Sequence, residues 1–195
     1  MFRACLFAPA IYWIYLISVG NLGADPAKNL NHKTGSMALY FLLVNLLIGI
    51  ALSFAKNLSL KWPGFLRVLL QERRWLGVIT FMYLMFHLGL YGAMEGFEYK
   101  GFVQMYTKTY LILGSLAWLT MLALAVTSNN YSVRSLGGKR WKGLHRLVYL
   151  GCAFATAHVL LIEKTDLIKF GLLTSGIWLL QISRFAISRK RPEAK

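Results

Sequence analysis

Two histidines inside long apolar segments are the side chains of this 195-residue chain best suited to chemistry. His87 lies in segment 75–94, and His158 lies in segment 147–163. An ionisable residue within such a segment is costly and therefore indicates a functional site. Counted at about 1.5 Å per residue from the start of each segment, both imidazoles are about 18 Å deep. Two imidazoles at one depth, on helices that run in the same direction, indicate an axial pair for a haem iron, since neutral imidazole carries no charge into lipid.

The neighbours of both histidines favour a flat cofactor. Gly151 and Ala155 precede His158 by seven and three residues, so they share its side of a helix and leave room for a macrocycle. Tyr91 shares the face of His87 and offers a hydroxyl to a haem propionate. The alternative is that the two histidines bond each other or a backbone carbonyl. The chain has no CxxCH, so any haem is b-type.

A second haem is a further hypothesis. His145 precedes His158 by thirteen residues, about 20 Å along a helix, which suits a haem near the inner surface. The residue thirteen positions before His87 is Arg74, which could pair with a propionate but does not ligate iron readily. His145 therefore has an open sixth ligand, or it is an interfacial histidine among basic residues. His32 is expected in a loop, either solvated or in contact with a propionate or a partner.

These histidines must be positioned by helices, because backbone groups in lipid have to satisfy their own hydrogen bonds. The fold class predicted is an all-α membrane protein, a six-transmembrane helix bundle forming one haem-binding domain over 1–195. The first segment starts at a basic residue and could pass for a signal peptide, but no small-residue cleavage site follows it. Each segment is near the length of about 20 residues that spans a bilayer core. The predicted spans are 4–20, 36–55, 75–94, 109–127, 147–163 and 168–187.

Composition and charge agree with a membrane location. Hydrophobic residues make up 57% of the chain and charged residues 15%, and the mean hydropathy is +0.51, which excludes an ordinary soluble domain and a disordered chain. The net charge of +15 would suggest nucleic acid in a soluble protein, whereas here it indicates cytoplasmic loops. Sixteen Lys or Arg residues fall on one side of the predicted bundle and six on the other. Both termini are therefore predicted to be cytoplasmic, with basic loops near anionic lipid. The longest loops expected are 21–35, 56–74 and 128–146.

Other kinds of site find no support in the motifs. The sequence lacks an HExxH zinc motif, a P-loop and a Gly-rich dinucleotide fingerprint. Cys5 and Cys152 stand singly in apolar segments, so no disulfide framework is expected. A haem between two histidines indicates an electron carrier that serves a partner protein, and two other functions remain open. One is a stand-alone reductase of ferric iron or quinone, and the other is a non-redox membrane protein with structural histidines.

The order of motifs resembles a known family. The segments LGADPAKNLNHKTG, RRWLGVITFMYLMFHLGLY, TYLILG, LALAVTS and LGGKRWKGLHRLVYL are similar to those of the ferric-reductase-like transmembrane family, over most of the chain. The resemblance implies that His87, His145 and His158 match the haem histidines of that family. Arg74 stands where larger relatives have the inner histidine of the third span. The number of haems, one or two, is therefore left open.

Within the family, the chain resembles haem-binding subunits of the bacterial inner membrane. The resemblance implies multi-pass electron transfer to a periplasmic molybdopterin-dependent methionine-sulfoxide reductase, which repairs oxidised proteins. The chain lacks the cytoplasmic flavin and nicotinamide domain of larger relatives, so the implied donor is the quinol pool or a separate flavin reductase. A bound FMN is also associated with this family. The basic segment 134–146 offers a position for its phosphate.

Overall fold

The structure, a computed structural model, describes residues 2–57, 64–162 and 166–189, and the regular elements in this part of the chain are all α-helices. This agrees with the all-α prediction. The helices are α1 (Phe2–Cys5), α2 (Ala8–Ser18), α3 (Pro26–Asn57), α4 (Gly64–Met94), α5 (Tyr99–Thr107), α6 (Thr109–Val126), α7 (Asn130–Leu144), α8 (Leu147–Leu160) and α9 (Leu167–Arg189).

Two antiparallel helix pairs form the centre of the fold. α3 packs along α4, and α6 packs along α8. Helix α3 contributes buried residues to both hydrophobic clusters. Ala38 and Ile48 pack in one cluster with residues of α2 and α4, whereas Leu39 and Leu43 pack in the other with residues of α6, α8 and α9. By contrast, α4 and α8 do not pack extensively against each other within the described residues. The two helices that carry His87 and His158 therefore belong to different pairs.

The outward faces of the bundle are apolar. Ile11 and Ile14 of α2 and Leu172 and Leu179 of α9 are 64%, 65%, 70% and 67% exposed. An apolar surface of this extent indicates contact with lipid, because its exposure to water would be energetically unfavourable. Within the described residues, three stretches are long and apolar enough to cross a membrane, and they lie in α3, α4 and α6. They agree with predicted spans 36–55, 75–94 and 109–127, whereas the count of six spans stays a prediction.

The first predicted span differs from the structure. A break at Leu6 and Phe7 divides 4–20 into α1 and α2, and Pro9 stands in the first turn of α2. Proline lacks the N–H that a continuous helix would need and is favoured in a first helical turn. α2 has 11 residues, about 16 Å, and is shorter than a bilayer core.

The predicted loops are also shorter than expected. α3 already begins at Pro26, α4 begins at Gly64, and α7 occupies most of 128–146. The ends of the apolar segments did not predict the ends of the helices, because a helix continues with polar residues after it leaves the apolar layer of the membrane. Some predicted features lie outside the described residues: residue 163 of the fifth span, the loop residues Glu163 and Lys164, and the basic residues Lys61, Lys190, Arg191 and Lys195.

The two ends of the bundle differ in charge. Arg3 donates two hydrogen bonds to Glu72, of 2.7 and 3.0 Å, which fixes α1 beside the first half of α4. Arg74 donates to the Ser128 carbonyl oxygen at 2.7 Å, which joins α4 to the segment before α7. We call the end that carries α7 the basic end. α5 lies at the opposite end.

Candidate functional site

His87 faces the α3 helix near the end opposite to the basic end. Its Nδ1 lies 2.9 Å from the carbonyl oxygen of Asn31, and the Asn31 amide donates to the His87 carbonyl at 2.8 Å. A carbonyl oxygen only accepts, so the Nδ1 of His87 carries the hydrogen. The lone pair of the neutral ring is therefore on Nε2, which is the nitrogen left for a metal.

His158 is held in the same way by α6. Its Nδ1 lies 2.6 Å from the carbonyl oxygen of Tyr110. Here too Nδ1 must donate, and Nε2 keeps the lone pair. Metal-ligating histidines in proteins usually donate their other ring nitrogen to a carbonyl or carboxylate, which fixes the ring and raises its basicity. The carbonyl contact that the sequence offered as an alternative to ligation thus occurs, and it is compatible with ligation.

The two imidazoles of α4 and α8 lie beside each other. Their ring centroids are 6.4 Å apart, with an angle of 74° between the planes. A metal–imidazole bond is about 2 Å long and the ring centre lies about 1 Å beyond the nitrogen, so two rings on one metal have centroids about 6 Å apart. The observed separation of His87 and His158 therefore fits two axial ligands of a single iron.

Two glycines make room for these rings, and neither was predicted from the sequence. A Cβ atom on Gly35 of α3 would lie 2.9 Å from the His87 ring, and one on Gly114 of α6 would lie 2.9 Å from the His158 Nδ1. Real Cβ atoms are essentially never closer than 3.0 Å to such neighbours. The signal in the sequence was a glycine inside each apolar helix, with Gly114 the one glycine of α6 and Gly35 one of two in α3.

A buried donor beside the pair also fits a cofactor with oxygen acceptors. Trp118 is one turn after Gly114 on α6, so it shares the face toward His158, and its ring lies 6.3 Å from that of Phe81 on α4. Its indole N–H is buried without a partner in the described part of the chain. Buried polar atoms are normally paired, so an unpaired indole N–H indicates a hydrogen-bond acceptor supplied by a bound group. The described residues contain no group of three metal-ligating side chains, whereas a haem iron needs only two from the protein.

The other residues predicted around the pair occupy varied positions. The Tyr91 hydroxyl lies 3.4 Å from the Gly101 carbonyl oxygen of α5. Ala155 packs against the hydrophobic cluster that contains buried residues of α3, α6, α8 and α9. A Cβ on Gly151 would lie 2.7 Å from Thr120 Oγ1, so Gly151 packs closely against α6. Its contact with a cofactor stays a prediction, as do those of Tyr91 and Ala155.

The predicted inner site is less complete. The His145 ring stacks on Trp141 with centroids 3.9 Å apart, and its Nε2 lies 3.2 Å from Thr127 Oγ1. Burial lowers the pKa of the His145 imidazole from its ordinary value of 6.5 and favours the neutral ring. Arg74 is near it and donates to Asn130 Oδ1 at 2.7 Å as well as to the α6–α7 connection. The structure thus brings His145 and Arg74 together without a second histidine.

His32 differs from its expected place in a loop. It is an exposed residue within the first turns of α3, and it lines a cavity of about 300 Å³ with Trp13, Lys33 and Tyr40. The position is at the same end of the bundle as the histidine pair. A contact with a propionate or a partner stays a prediction.

Comparisons with known proteins agree with this geometry. The chain is 37% identical over 165 residues to the protein-methionine-sulfoxide reductase heme-binding subunit MsrQ of Salmonella arizonae, which covers 81% of this chain and 78% of that relative. The MsrQ proteins of Salmonella paratyphi B and Salmonella newport are 36% identical over the same shares. The family described as "Ferric reductase like transmembrane component" matches residues 34–160, which include both facing histidines. The chain therefore belongs to the ferric reductase like transmembrane family.

Proposed function

We propose that this chain is a haem-binding electron-transfer subunit of the bacterial inner membrane. The observation that carries the proposal is the facing pair His87 and His158, with centroids 6.4 Å apart and both Nδ1 atoms bonded to carbonyl oxygens. The similar proteins of Salmonella are named as heme-binding subunits of protein-methionine-sulfoxide reductase, which supports the same role here.

The chain's own residues would hold haem b between the two helix pairs. His87 and His158 would ligate through Nε2, while the carbonyls of Asn31 and Tyr110 keep the rings oriented and more basic. The apolar helices exclude water and bring no competing charge to the pair. When bound, the haem supplies one-electron redox chemistry at a potential tuned by its ligands and surroundings.

A second haem at His145 is part of the proposal. Ligation would require Nε2 of His145 to leave its contact with Thr127, after which Arg74 is near enough to pair with a propionate. Haem content therefore distinguishes one site from two. A haem-to-protein ratio of two that falls to one in His145→Ala supports an inner site, whereas a ratio of one that is unchanged opposes it.

The electron donor and acceptor are proposed on the basis of the similar proteins and the charge distribution. The acceptor would be a periplasmic molybdopterin-dependent methionine-sulfoxide reductase, docked at the end opposite to the basic end. The donor would be the quinol pool or a flavin reductase at the basic end, which the excess of Lys and Arg assigns to the cytoplasm. FMN would place its phosphate on the basic segment 134–146. The predicted acceptor-docking segments are 21–35, 95–108 and 163–168, and the predicted donor side holds Arg74, Trp75, Trp141 and His145.

The test is the reduced-minus-oxidised absorption spectrum of the full-length protein purified in detergent. We expect a b-type α-band, and a fall in haem content of at least about tenfold in His87→Ala and in His158→Ala. His32→Ala, which removes an exposed imidazole at the same end, is the matched control and should keep the band. A colourless protein, or a band unchanged in both ligand variants, would refute the proposal and favour structural histidines.

A stand-alone reductase of ferric iron or quinone is the second candidate, favoured by the family description. The same haem site would serve it, so spectra alone do not separate the two functions. Oxidation of dithionite-reduced haem by ferric citrate or by a quinone, in the purified chain without any partner protein, would favour this candidate. Oxidation of the reduced haem only when the methionine-sulfoxide reductase and methionine sulfoxide are both supplied would favour the electron-transfer subunit.

A further inference from the structure

A cluster of polar side chains from four helices lies toward the basic end, separate from the histidine pair. The members are Asn45 of α3, Arg73 of α4, Tyr149 of α8 and Arg184 of α9, and we call them the arginine cluster. Arg73 Nε donates to Asn45 Oδ1 at 3.0 Å, and the Asn45 amide donates to the Arg73 carbonyl at 2.9 Å. Arg184 donates to the Tyr149 hydroxyl oxygen at 3.1 Å. Leu46 and Ile50, the neighbours of Asn45 and Gly49 on α3, pack in one buried cluster with Tyr149, so the two hydrogen-bonded pairs lie beside each other.

The cluster contains two cations and no acid. The one ion pair among residues 2–57, 64–162 and 166–189 joins Arg3 to Glu72. The carboxylates of Asp25 and Asp166 accept hydrogen bonds from backbone N–H groups at the helix starts of the opposite end. Two neighbouring guanidinium groups repel each other, and in partly buried surroundings water screens this poorly. An anion from another molecule would relieve the repulsion.

Several donors of the cluster are free to bind that anion. A guanidinium has five N–H donors, and Arg73 uses only its Nε–H in the described contacts. Gly49 of α3 leaves space for this group, since a Cβ there would lie 3.1 Å from Arg73 Nη2. Tyr149 accepts a bond from Arg184, so its own hydroxyl hydrogen remains available to a ligand.

A buried amide provides a second, independent observation. Gln181 lies three residues before Arg184 on α9 and therefore shares its helix face. Its side chain is 3% exposed, and neither its nitrogen nor its oxygen has a partner in the described part of the chain. An unpaired buried amide is costly, which indicates that a polar group other than those of the described residues satisfies it.

We propose that Arg73, Tyr149 and Arg184 form a binding site for a phosphate group, with Gln181 as an additional amide contact. A phosphate offers several acceptor oxygens to forked arginine donors and neutralises the two positive charges. Arg184 lies five residues before the end of α9, about 8 Å along the helix, a depth that a lipid headgroup or a soluble phosphate can reach. The site itself does not depend on haem binding, and only its assignment to the cytoplasmic face rests on the proposed topology.

Binding is tested by native mass spectrometry of the full-length protein in detergent. The probes are short-chain phosphatidylglycerol, phosphatidylcholine and inorganic phosphate. We expect phosphatidylglycerol to bind in preference to phosphatidylcholine if the source is a lipid, with affinity lowered at least about tenfold in Arg73→Gln and in Arg184→Gln. Lys56→Gln removes one positive charge from an exposed position at the end of α3, also toward the basic end, and should leave the affinity unchanged.

The outcomes distinguish a lipid headgroup from a soluble phosphate, and they show which results contradict the proposal. Arginine-dependent binding of inorganic phosphate without phosphatidylglycerol supports a soluble phosphate as the ligand. Equal losses in all three variants would mean general attraction to a basic surface and would overturn the proposal, as would the absence of binding by every probe. Tyr149→Phe removes the hydroxyl, and with it both the free donor and the acceptor of the Arg184 bond. It should also lower phosphate affinity, and it replaces any arginine variant that loses helix content by circular dichroism. The haem spectrum of each variant is recorded beside lipid binding, so failure of the haem proposal is recognised separately.

Discussion

Each histidine of the facing pair is oriented by a carbonyl oxygen and by a glycine on a neighbouring helix. His87 contacts Asn31 and Gly35 of α3, whereas His158 contacts Tyr110 and Gly114 of α6. The pairing of these two histidines could be predicted from the sequence, because an imidazole in an apolar segment is rare, while their ligation of iron stays a prediction. The groups that orient the rings could not be predicted. Every residue has a backbone carbonyl, and packing determines which one of a neighbouring helix lies opposite the histidine.

Alanine at Gly35 or Gly114 tests this orientation. The added Cβ would lie 2.9 Å from the imidazole ring, so the ring must move away from its carbonyl acceptor. We expect haem affinity to fall about 10–100-fold in Gly35→Ala and in Gly114→Ala, as for other changes to groups that orient a metal ligand. The measurement is haem content by the pyridine haemochrome assay after titration of the purified protein.

Gly89→Ala is the matched control for these two variants. Gly89 lies two residues after His87 on α4, and a Cβ there meets nothing within 4 Å. Alanine is also the better helix former, so haem affinity should be unchanged. Equal affinity in all three alanine variants would show that the rings do not need the space at Gly35 and Gly114.

At the scale of the element, α7 is the largest departure from expectation. The segment NYSVRSLGGKRWKGL is polar and has adjacent glycines, so it was expected in a loop. Asn129 caps its start by accepting a bond from the Ser132 N–H at 2.7 Å, and Trp141 donates to the Thr127 carbonyl at 2.8 Å. The helix is bent at Gly137, with φ 73° and ψ 149°. This long-range anchoring of α7 to α6 is what local sequence patterns do not contain.

The bend gives a prediction for two adjacent glycines. The conformation of Gly137 is essentially restricted to glycine, and other residues pay about 1–3 kcal/mol there. We therefore expect Gly137→Ala to loosen α7 and to speed amide hydrogen exchange over residues 130–144 by at least about fivefold.

Gly138→Ala provides the comparison, since Gly138 is helical and a Cβ there meets nothing within 4 Å. Exchange in α7 should stay equal or become slower in this variant, because alanine favours a helix. Faster exchange in both variants, or in neither, would mean that the bend at Gly137 does not limit the stability of α7.

At the scale of the whole molecule, apolar length predicted the long helices well and their ends poorly. The predicted span 109–127 nearly coincides with α6, whereas α3 extends ten residues before the predicted start at 36. Hydropathy reports where a helix meets lipid and gives no information on where its hydrogen bonds stop. The break before α2 depends on one proline and on packing beneath Trp13, so it too was missed.

The orientation of the bundle can be measured with two single cysteines. In a background of Cys5→Ser and Cys152→Ala, Arg140→Cys marks α7 and Lys100→Cys marks α5, both at exposed positions. We expect a membrane-impermeant maleimide to label Cys at position 100 in intact spheroplasts and Cys at position 140 only in inverted vesicles, because Lys and Arg favour the cytoplasmic side. Labelling of both positions from one side would contradict the proposed topology.

The division of the bundle into α3 with α4 and α6 with α8 has a consequence for how tightly a ligand can be held. Each imidazole is immobilised by the helix beside its own, before anything bridges the two rings. The imidazoles therefore lose their conformational freedom during folding, and this entropy loss does not lower the affinity for the ligand that binds later. What remains to be fixed on association is the spacing between two rigid halves, so the width of one interhelical cleft determines retention more than the mobility of any single residue.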